Sequence, residues 1–80
     1  MEPRAAMKKK PMQEVFAANL RRARQQAGIT QEALAHLAGM DRTYVGQCER
    51  GQRNISISNI ERLARALGID EAELMRRNRH

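Results

Sequence analysis

Residues 31–50, QEALAHLAGMDRTYVGQCER, carry the strongest structural signal in the chain. The pattern predicts two short helices joined by Gly39-Met40-Asp41. Two helices that cross steeply through a three-residue turn need a small residue at their closest approach and a residue that tolerates positive φ in the turn. Ala35 and Gly39 meet these needs. A generic helical hairpin requires apolar spacing but not this pair of small residues, so the pattern favours a helix-turn-helix.

The second helix of this pair is expected to turn Val45 and Cys48 inward and to expose a polar stripe. The stripe consists of Arg42, Thr43, Gly46, Gln47 and Arg50. Arginine can bond guanine bidentately, glutamine can do the same for adenine, and threonine offers a hydroxyl and a methyl. Gly46 is expected to leave the middle of the stripe bare for close approach to DNA. Many surface helices show a polar stripe, and the helix-turn-helix context is what favours DNA binding.

Outside this motif, apolar residues recur at helical spacing over residues 12–27 and 57–67, and a short fifth helix is expected after Asp70. Thr30, Asp41 and Ser56 are suited to cap the helices that follow them. No segment shows sustained alternation of period two, so the prediction is an all-α fold of five helices. The inward positions are expected to include Leu34, Leu37 and Ala38 in the second helix and Ile57, Ile60, Leu63, Ala64 and Leu67 in the fourth.

Length and charge limit the chain to one small basic domain of 80 residues with a formal net charge of +6. Residues 12–75 contain eight basic and eight acidic side chains, so the whole surplus lies in the two ends. We therefore divide the chain into a basic N-terminal arm (1–11), a helix-turn-helix domain (12–75, motif 31–50) and a basic C-terminal tail (76–80). The lysines of the arm can extend along DNA or can serve solubility alone, and the sequence leaves both open.

Several classes of site are disfavoured by the residues present. The single cysteine, Cys48, cannot form an internal disulfide, and its inward position predicts a small buried apolar side chain rather than a redox switch. His36 and His80 are too isolated to predict a metal site. No base is placed to activate Ser56 or Ser58 as a nucleophile. We therefore expect no enzyme activity, no cofactor, no metal and no small-molecule ligand, and a location in a reducing bacterial cytoplasm without membrane association.

The stretch NLRRARQQAGITQEALAHLAGMDRTYVGQCERGQRNISISNIERLARALGI resembles the lambda-repressor-like helix-turn-helix domains, also called Cro-type or XRE-type. The resemblance covers residues 12–75, because ITQEALA, ERG and LARALG recur in the order and spacing of that family. The segments DRTY and ERGQRNIS are most similar to the small restriction–modification controller proteins. The resemblance implies a homodimer that binds operator DNA near its own promoter.

The resemblance also implies roles for individual residues. Arg24 and Glu49 match a structural ion pair between the first and third helices, and Cys48 stands where many relatives have Ile or Leu, which implies slightly looser packing. Arg42, Thr43 and Gln47 would contact base edges. The DNA backbone would be contacted by Gln31, Tyr44, Arg50, Arg53 and Asn54.

A domain of this size presents one recognition helix, which contacts only a few base pairs, so a two-fold dimer is expected. The apolar residues left for its interface are Ile69, Leu74 and Met75, although these can instead close the core of the monomer. The expected function is a sequence-specific transcriptional regulator that binds double-stranded DNA at a palindromic operator, with a restriction–modification operon as a candidate target. The alternatives are a DNA-binding antitoxin and a module whose basic ends dock on membranes or acidic proteins.

Overall fold

The computed structural model describes residues 10–77, which form five α-helices and no strand. The prediction of an all-α, five-helix fold is therefore confirmed. Most of the predicted basic arm (1–9) and the end of the predicted tail (78–80) lie outside the described residues. The helices are α1 (Met12–Gln26), α2 (Gln31–Ala38), α3 (Arg42–Glu49), α4 (Ile57–Leu67) and α5 (Glu71–Met75).

Most helices begin where the sequence supplies a side-chain acceptor. Thr30, Ser56 and Asp70 each accept a hydrogen bond from a backbone N–H in the first turn of α2, α4 and α5, respectively. Asp41 occupies the equivalent position before α3, but its side chain makes no capping bond. Because a capping bond satisfies an N–H that otherwise has no partner in the helix, α3 begins with more of its backbone donors available than α2, α4 and α5.

The turn between α2 and α3 has the geometry that its sequence predicts. Gly39 adopts a left-handed conformation with φ 69° and ψ 39°. This lets the Met40 N–H donate back to the Ala35 carbonyl at 2.8 Å, closing the end of α2. Ala35 is 2% exposed, as its role at the close approach of the helices requires.

A single core joins the five helices. α1 packs against α3 and α5, while α2 packs against α3 and α4, so α3 is held from both sides. Val45 and Cys48 point inward as expected. The largest fully buried side chains are Leu20, Leu34, Leu63, Leu74, Val45 and Cys48.

Two apolar residues expected inside are exposed: Leu37 is 60% and Ile57 is 85% accessible. In α2, Leu34, Ala35 and Ala38 already form the inward sector. Leu37 lies about 100° around the helix from the centre of that sector, because each residue advances the helix by about 100°. Ile57 is the first residue of α4, one turn before the half-buried Ile60, and it extends beyond the packed part of that helix.

Leu74 was expected at a dimer interface, but it is fully buried in the monomer. The physical reason is that α5 lies against α1 and uses Leu74 to close the core there. Asn19 of α1 secures this contact by donating to the Leu74 carbonyl at 2.9 Å and to the Arg76 carbonyl at 2.7 Å. Ile69 and Met75 are only half-buried and keep part of their surface accessible.

Candidate nucleic-acid interface

The three side chains expected to contact bases all lie on α3. Arg42 and Thr43, in its first turn, are exposed, and Gln47 is half-buried one turn later. The opposite side of α3 is fixed in the core by Val45 and Cys48. Since burial of that side determines the rotation of the helix about its axis, the three polar residues are held on one outward face.

Gly46 does not leave the gap in this face that the sequence predicts. It is buried, and a Cβ built on it would lie 3.3 Å from Arg50 Nη1 and 3.5 Å from Gln31 Oε1. The long side chains of Gln31 and Arg50 therefore cover the glycine. A duplex could approach the backbone of α3 at this point only after these side chains move.

A buried ion pair connects α1 to the end of α3. Arg24 Nε lies 2.5 Å from Glu49 Oε2, and Arg24 Nη2 donates to Glu49 Oε1 at 3.1 Å. The hydrogen bonds to Glu49 raise the pKa of Arg24, so the guanidinium stays charged. Gln31 Nε2 also donates to Glu49 Oε1, at 3.0 Å. Gln31, expected at a phosphate, thus has a structural bond at the beginning of α2 in the free protein.

The polar residues beside α3 form a second network. Arg53 Nε donates to Gln47 Oε1 at 2.8 Å, and the Arg53 guanidinium carbon lies 5.2 Å from the centre of the Tyr44 ring. The Tyr44 hydroxyl accepts a hydrogen bond from Asn59 Nδ2 at 3.0 Å. Arg53 thus links Gln47 and Tyr44, two other residues that the resemblance assigned to DNA.

The other two residues expected at the DNA backbone follow α3 in the chain. Arg50 and Asn54 are exposed, and Arg50 Nε donates to Gln52 Oε1 at 3.2 Å.

Cys48, on the core side of α3, is 1% exposed. Burial raises the pKa of its thiol, more than contacts with Tyr44 and Arg53 lower it. This keeps the thiol protonated at neutral pH and is typical of an unreactive core cysteine.

Arg62 was not anticipated as part of this region. From α4 it donates to the Gly39 carbonyl at 2.6 Å and to the Ala38 carbonyl at 3.2 Å, and its Nη1 donates to Asn59 Oδ1 at 3.2 Å. Carbonyls at a helix C-terminus attract cations, so a basic residue was to be expected near the turn. The sequence alone could not identify which arginine it is, because Arg62 is more than 20 positions away.

Other kinds of site receive no support from the described residues. Within residues 10–77, no group of three or more His, Cys, Asp or Glu side chains is placed to hold a metal ion. None of the helices in that range has the length and apolar content needed to cross a membrane. The candidate site is formed by α3 and its polar neighbours.

Comparisons with known proteins point to the same feature. A family model described as helix-turn-helix matches residues 20–74. A hypothetical transcription factor of Neisseria meningitidis is 48% identical over 61 residues, which are 76% of this chain and 58% of that protein, so the chain spans less than two thirds of this relative. The crystal structure of the restriction–modification controller protein C.AhdI from Aeromonas hydrophila superposes with a TM-score of 0.76 at 52% identity, covering 78% of this chain and 94% of that one.

A more distant structure contains DNA. It is the restriction–modification controller protein C.Esp1396I, a tetramer in complex with its natural 35 base-pair operator. It has a TM-score of 0.76 to this chain at 27% sequence identity and covers 82% of this chain and 87% of that one. Its fold and that of C.AhdI share the arrangement of helices described above.

Proposed function

This chain belongs to the XRE-type helix-turn-helix family, and we propose that it is a sequence-specific transcriptional regulator that binds double-stranded DNA. The observation that carries the proposal is the outward face of α3, where Arg42, Thr43 and Gln47 are held together by the buried opposite side. In this role α3 enters the major groove, the three side chains contact base edges, and α2 lies across the phosphates.

We further propose that the protein is a restriction–modification controller that regulates its own operon. The support is its similarity to C.AhdI along nearly the whole length of that protein. The relatives described above are named as a transcription factor and as controller proteins, and none of them favours the antitoxin alternative. In this proposal the protein acts on DNA in the bacterial cytoplasm and has no catalytic role.

Phosphate contacts in this proposal come from two sources. Gln31 begins α2, Tyr44 lies on α3 and Arg50 follows directly after it. Arg53 and Asn54 extend the contact into the loop that follows. The uncapped backbone donors at the beginning of α3 add a favourable partial positive charge near the groove. Neutral overall charge in the central domain is thus compatible with binding to a polyanion.

The protein is proposed to act as a homodimer. A single α3 of eight residues contacts too few base pairs for tight specific binding, whereas two copies related by a two-fold axis place their recognition helices about 34 Å apart in successive major grooves. Oligomerisation of C.Esp1396I on its operator supports self-association. With Leu74 inside the monomer, the proposed interface retains the half-buried Ile69 and Met75.

The decisive experiment is selection of bound sites from random duplex DNA by the purified full chain. We expect an inverted pair of half-sites, which would establish both sequence-specific binding and two-fold symmetry. Arg42→Ala and Gln47→Ala should each weaken binding to the selected site by about 1–3 kcal/mol and relax the base preference at one position per half-site.

Arg65→Ala is the matched control. Arg65 is exposed on α4 and pairs at 3.5 Å with Glu61 on the same helix, so its removal also deletes one positive charge. It should lower affinity only slightly and leave every base preference in place. A selection that enriches no motif, or an Arg65 variant as impaired as the Arg42 variant, would refute sequence-specific binding through α3.

A further inference from the structure

The amide of Gln47 has a fixed orientation in the structure. A glutamine amide can usually present either its oxygen or its NH2 group, because the two ends are similar in shape. Here Arg53 Nε donates to Gln47 Oε1 at 2.8 Å. Arginine has only donors, so the oxygen has to be the atom that faces Arg53. The NH2 group of Gln47 then points away from Arg53.

Arg53 is itself held in place by neighbours on another element. Its guanidinium lies over the half-buried Tyr44 ring, 5.2 Å from the ring centre, a favourable cation–π distance. The hydroxyl of that ring is fixed by Asn59 of α4 at 3.0 Å. Glu49, the nearest buried carboxylate along α3, is already bonded by Arg24 and Gln31. Tyr44 and Asn59 therefore hold Arg53 in position for its contact with Gln47. The one acidic residue of α3, Glu49, is bonded elsewhere and does not compete with Gln47 for Arg53.

From this geometry we infer that Arg53 is a specificity-determining residue that makes Gln47 select guanine rather than adenine, an inference that rests on the proposed DNA-binding function. An unconstrained glutamine pairs with adenine by accepting from N6 and donating to N7. With Arg53 on Oε1, the adenine amino group would have to share that oxygen with a cation. The two N–H donors of Gln47 instead match guanine, which presents O6 and N7 as acceptors.

This role leaves Arg53 able to contact the DNA backbone at the same time. The bond to Gln47 uses Nε, and a phosphate can be bound through Nη1 and Nη2, the geometry in which arginine binds phosphate bidentately. Arg53 acts on the base through Gln47 and is thus a positioning residue. Its loss has two separable effects: a uniform decrease in affinity from the lost phosphate contact, and a changed base preference at one position.

The test is site selection from random duplex DNA with the 80-residue chain and three variants. Gln47→Ala identifies the position that Gln47 contacts, because the preference there becomes flat. At that position the wild type should prefer guanine over adenine about tenfold, and Arg53→Ala should reduce this ratio below about threefold. Arg50→Ala removes a neighbouring exposed arginine that bonds Gln52 instead of Gln47, and it should lower affinity while the tenfold ratio persists.

Two results would overturn the inference while the proposed function stands. One is a guanine-to-adenine ratio in Arg53→Ala equal to that of the wild type. The other is a wild type that prefers adenine at the Gln47 position. If the wild type enriches no motif at all, the proposed function itself fails, so the two failures are distinguishable. The melting temperature of Arg53→Ala should match the wild type because Arg53 is exposed, which checks that the variant is folded.

Discussion

The carboxylate of Glu49 shows how much one residue can contribute to the interface without touching DNA. Its side chain is 3% exposed, and burial of a charge is unfavourable unless the charge is paired and hydrogen-bonded. Arg24 supplies two donors and Gln31 a third. These bonds join α1, the beginning of α2 and the end of α3. The pair implied by the family resemblance is present in the structure, and the bond from Gln31 is an addition to it.

Removing one member of this pair should be strongly destabilising. Glu49→Leu leaves the Arg24 guanidinium, 14% exposed, without its carboxylate, and the expected loss in the free energy of unfolding is about 3–5 kcal/mol. The double variant Arg24→Met/Glu49→Leu should recover part of that loss, because no charge remains buried. Urea denaturation followed by circular dichroism measures both values.

The control for this prediction is the exposed pair of Glu61 and Arg65, whose side chains are 54% and 74% accessible. Glu61→Leu should cost less than about 1 kcal/mol, since exposed ion pairs contribute little. Equal losses in the free energy of unfolding of the Glu49 and Glu61 variants would contradict the view that burial makes the pair of Arg24 and Glu49 more important for stability.

Among the helices, α4 acts as a brace for the helix-turn-helix although it carries no proposed base contact. Arg62 bonds two carbonyls at the end of α2 and the turn, and Asn59 bonds the hydroxyl of Tyr44. The carbonyls at a helix C-terminus have no partners within the helix, so donors from a neighbouring helix satisfy them. The angle between α2 and α3 is therefore supported by a third helix as well as by Gly39.

Arg62→Ala should loosen the turn. We expect the free energy of unfolding to fall by about 1–2 kcal/mol, since hydrogen bonds from a charged donor to two carbonyls are lost. The Met40 N–H, which donates to Ala35, should exchange with solvent faster, and amide hydrogen exchange at that residue measures the effect. Arg65→Ala, one turn later on the same helix, should leave Met40 protected; if both variants expose Met40 equally, Arg62 has no special role.

At the scale of the whole molecule, α5 contributes one side chain to the core, and the residues beside it form the surface proposed to contact a second copy. Leu74 closes the core against α1, whereas Ile69 and Met75 pack on its edge and remain partly accessible. Ile57 is more exposed than either, at the beginning of α4. Substitutions in these residues should therefore separate loss of folding from loss of dimerisation.

Leu74→Ala should reduce the free energy of unfolding by about 2–5 kcal/mol, the range for deleting a fully buried leucine. Met75→Ser should leave the monomer folded and weaken the proposed dimer at least about tenfold, which corresponds to about 1.4 kcal/mol. Thermal melting measures the loss of stability, and sedimentation velocity over a range of concentrations measures the loss of dimerisation.

Leu37→Ser is the control for dimerisation, because Leu37 is 60% exposed but lies on α2, outside the proposed interface. It should change neither the dimer nor the fold. If Ile57→Ser dissociates the dimer and Met75→Ser does not, the interface lies at the beginning of α4 and the assignment to Ile69 and Met75 is wrong.

The sequence by itself determined the features that depend on near neighbours in the chain. The caps at Thr30 and Ser56 and the left-handed Gly39 follow from interactions within a few residues. The inward positions of Val45 and Cys48 were predicted from helical spacing. Such interactions are specified by local spacing, so helical periodicity and turn chemistry were sufficient to predict five helices and the outward face of α3.

Only the tertiary structure decided which surfaces are covered. The burial of Leu74, the exposure of Ile57 and the closing of side chains over Gly46 depend on how whole helices pack, and local spacing does not encode that packing. The same is true of the bonds from Asn19 and Arg62, whose partners lie 55 and 23 positions away. Contacts between distant residues form only once the helices have packed, so they could not be predicted from a local pattern in the chain.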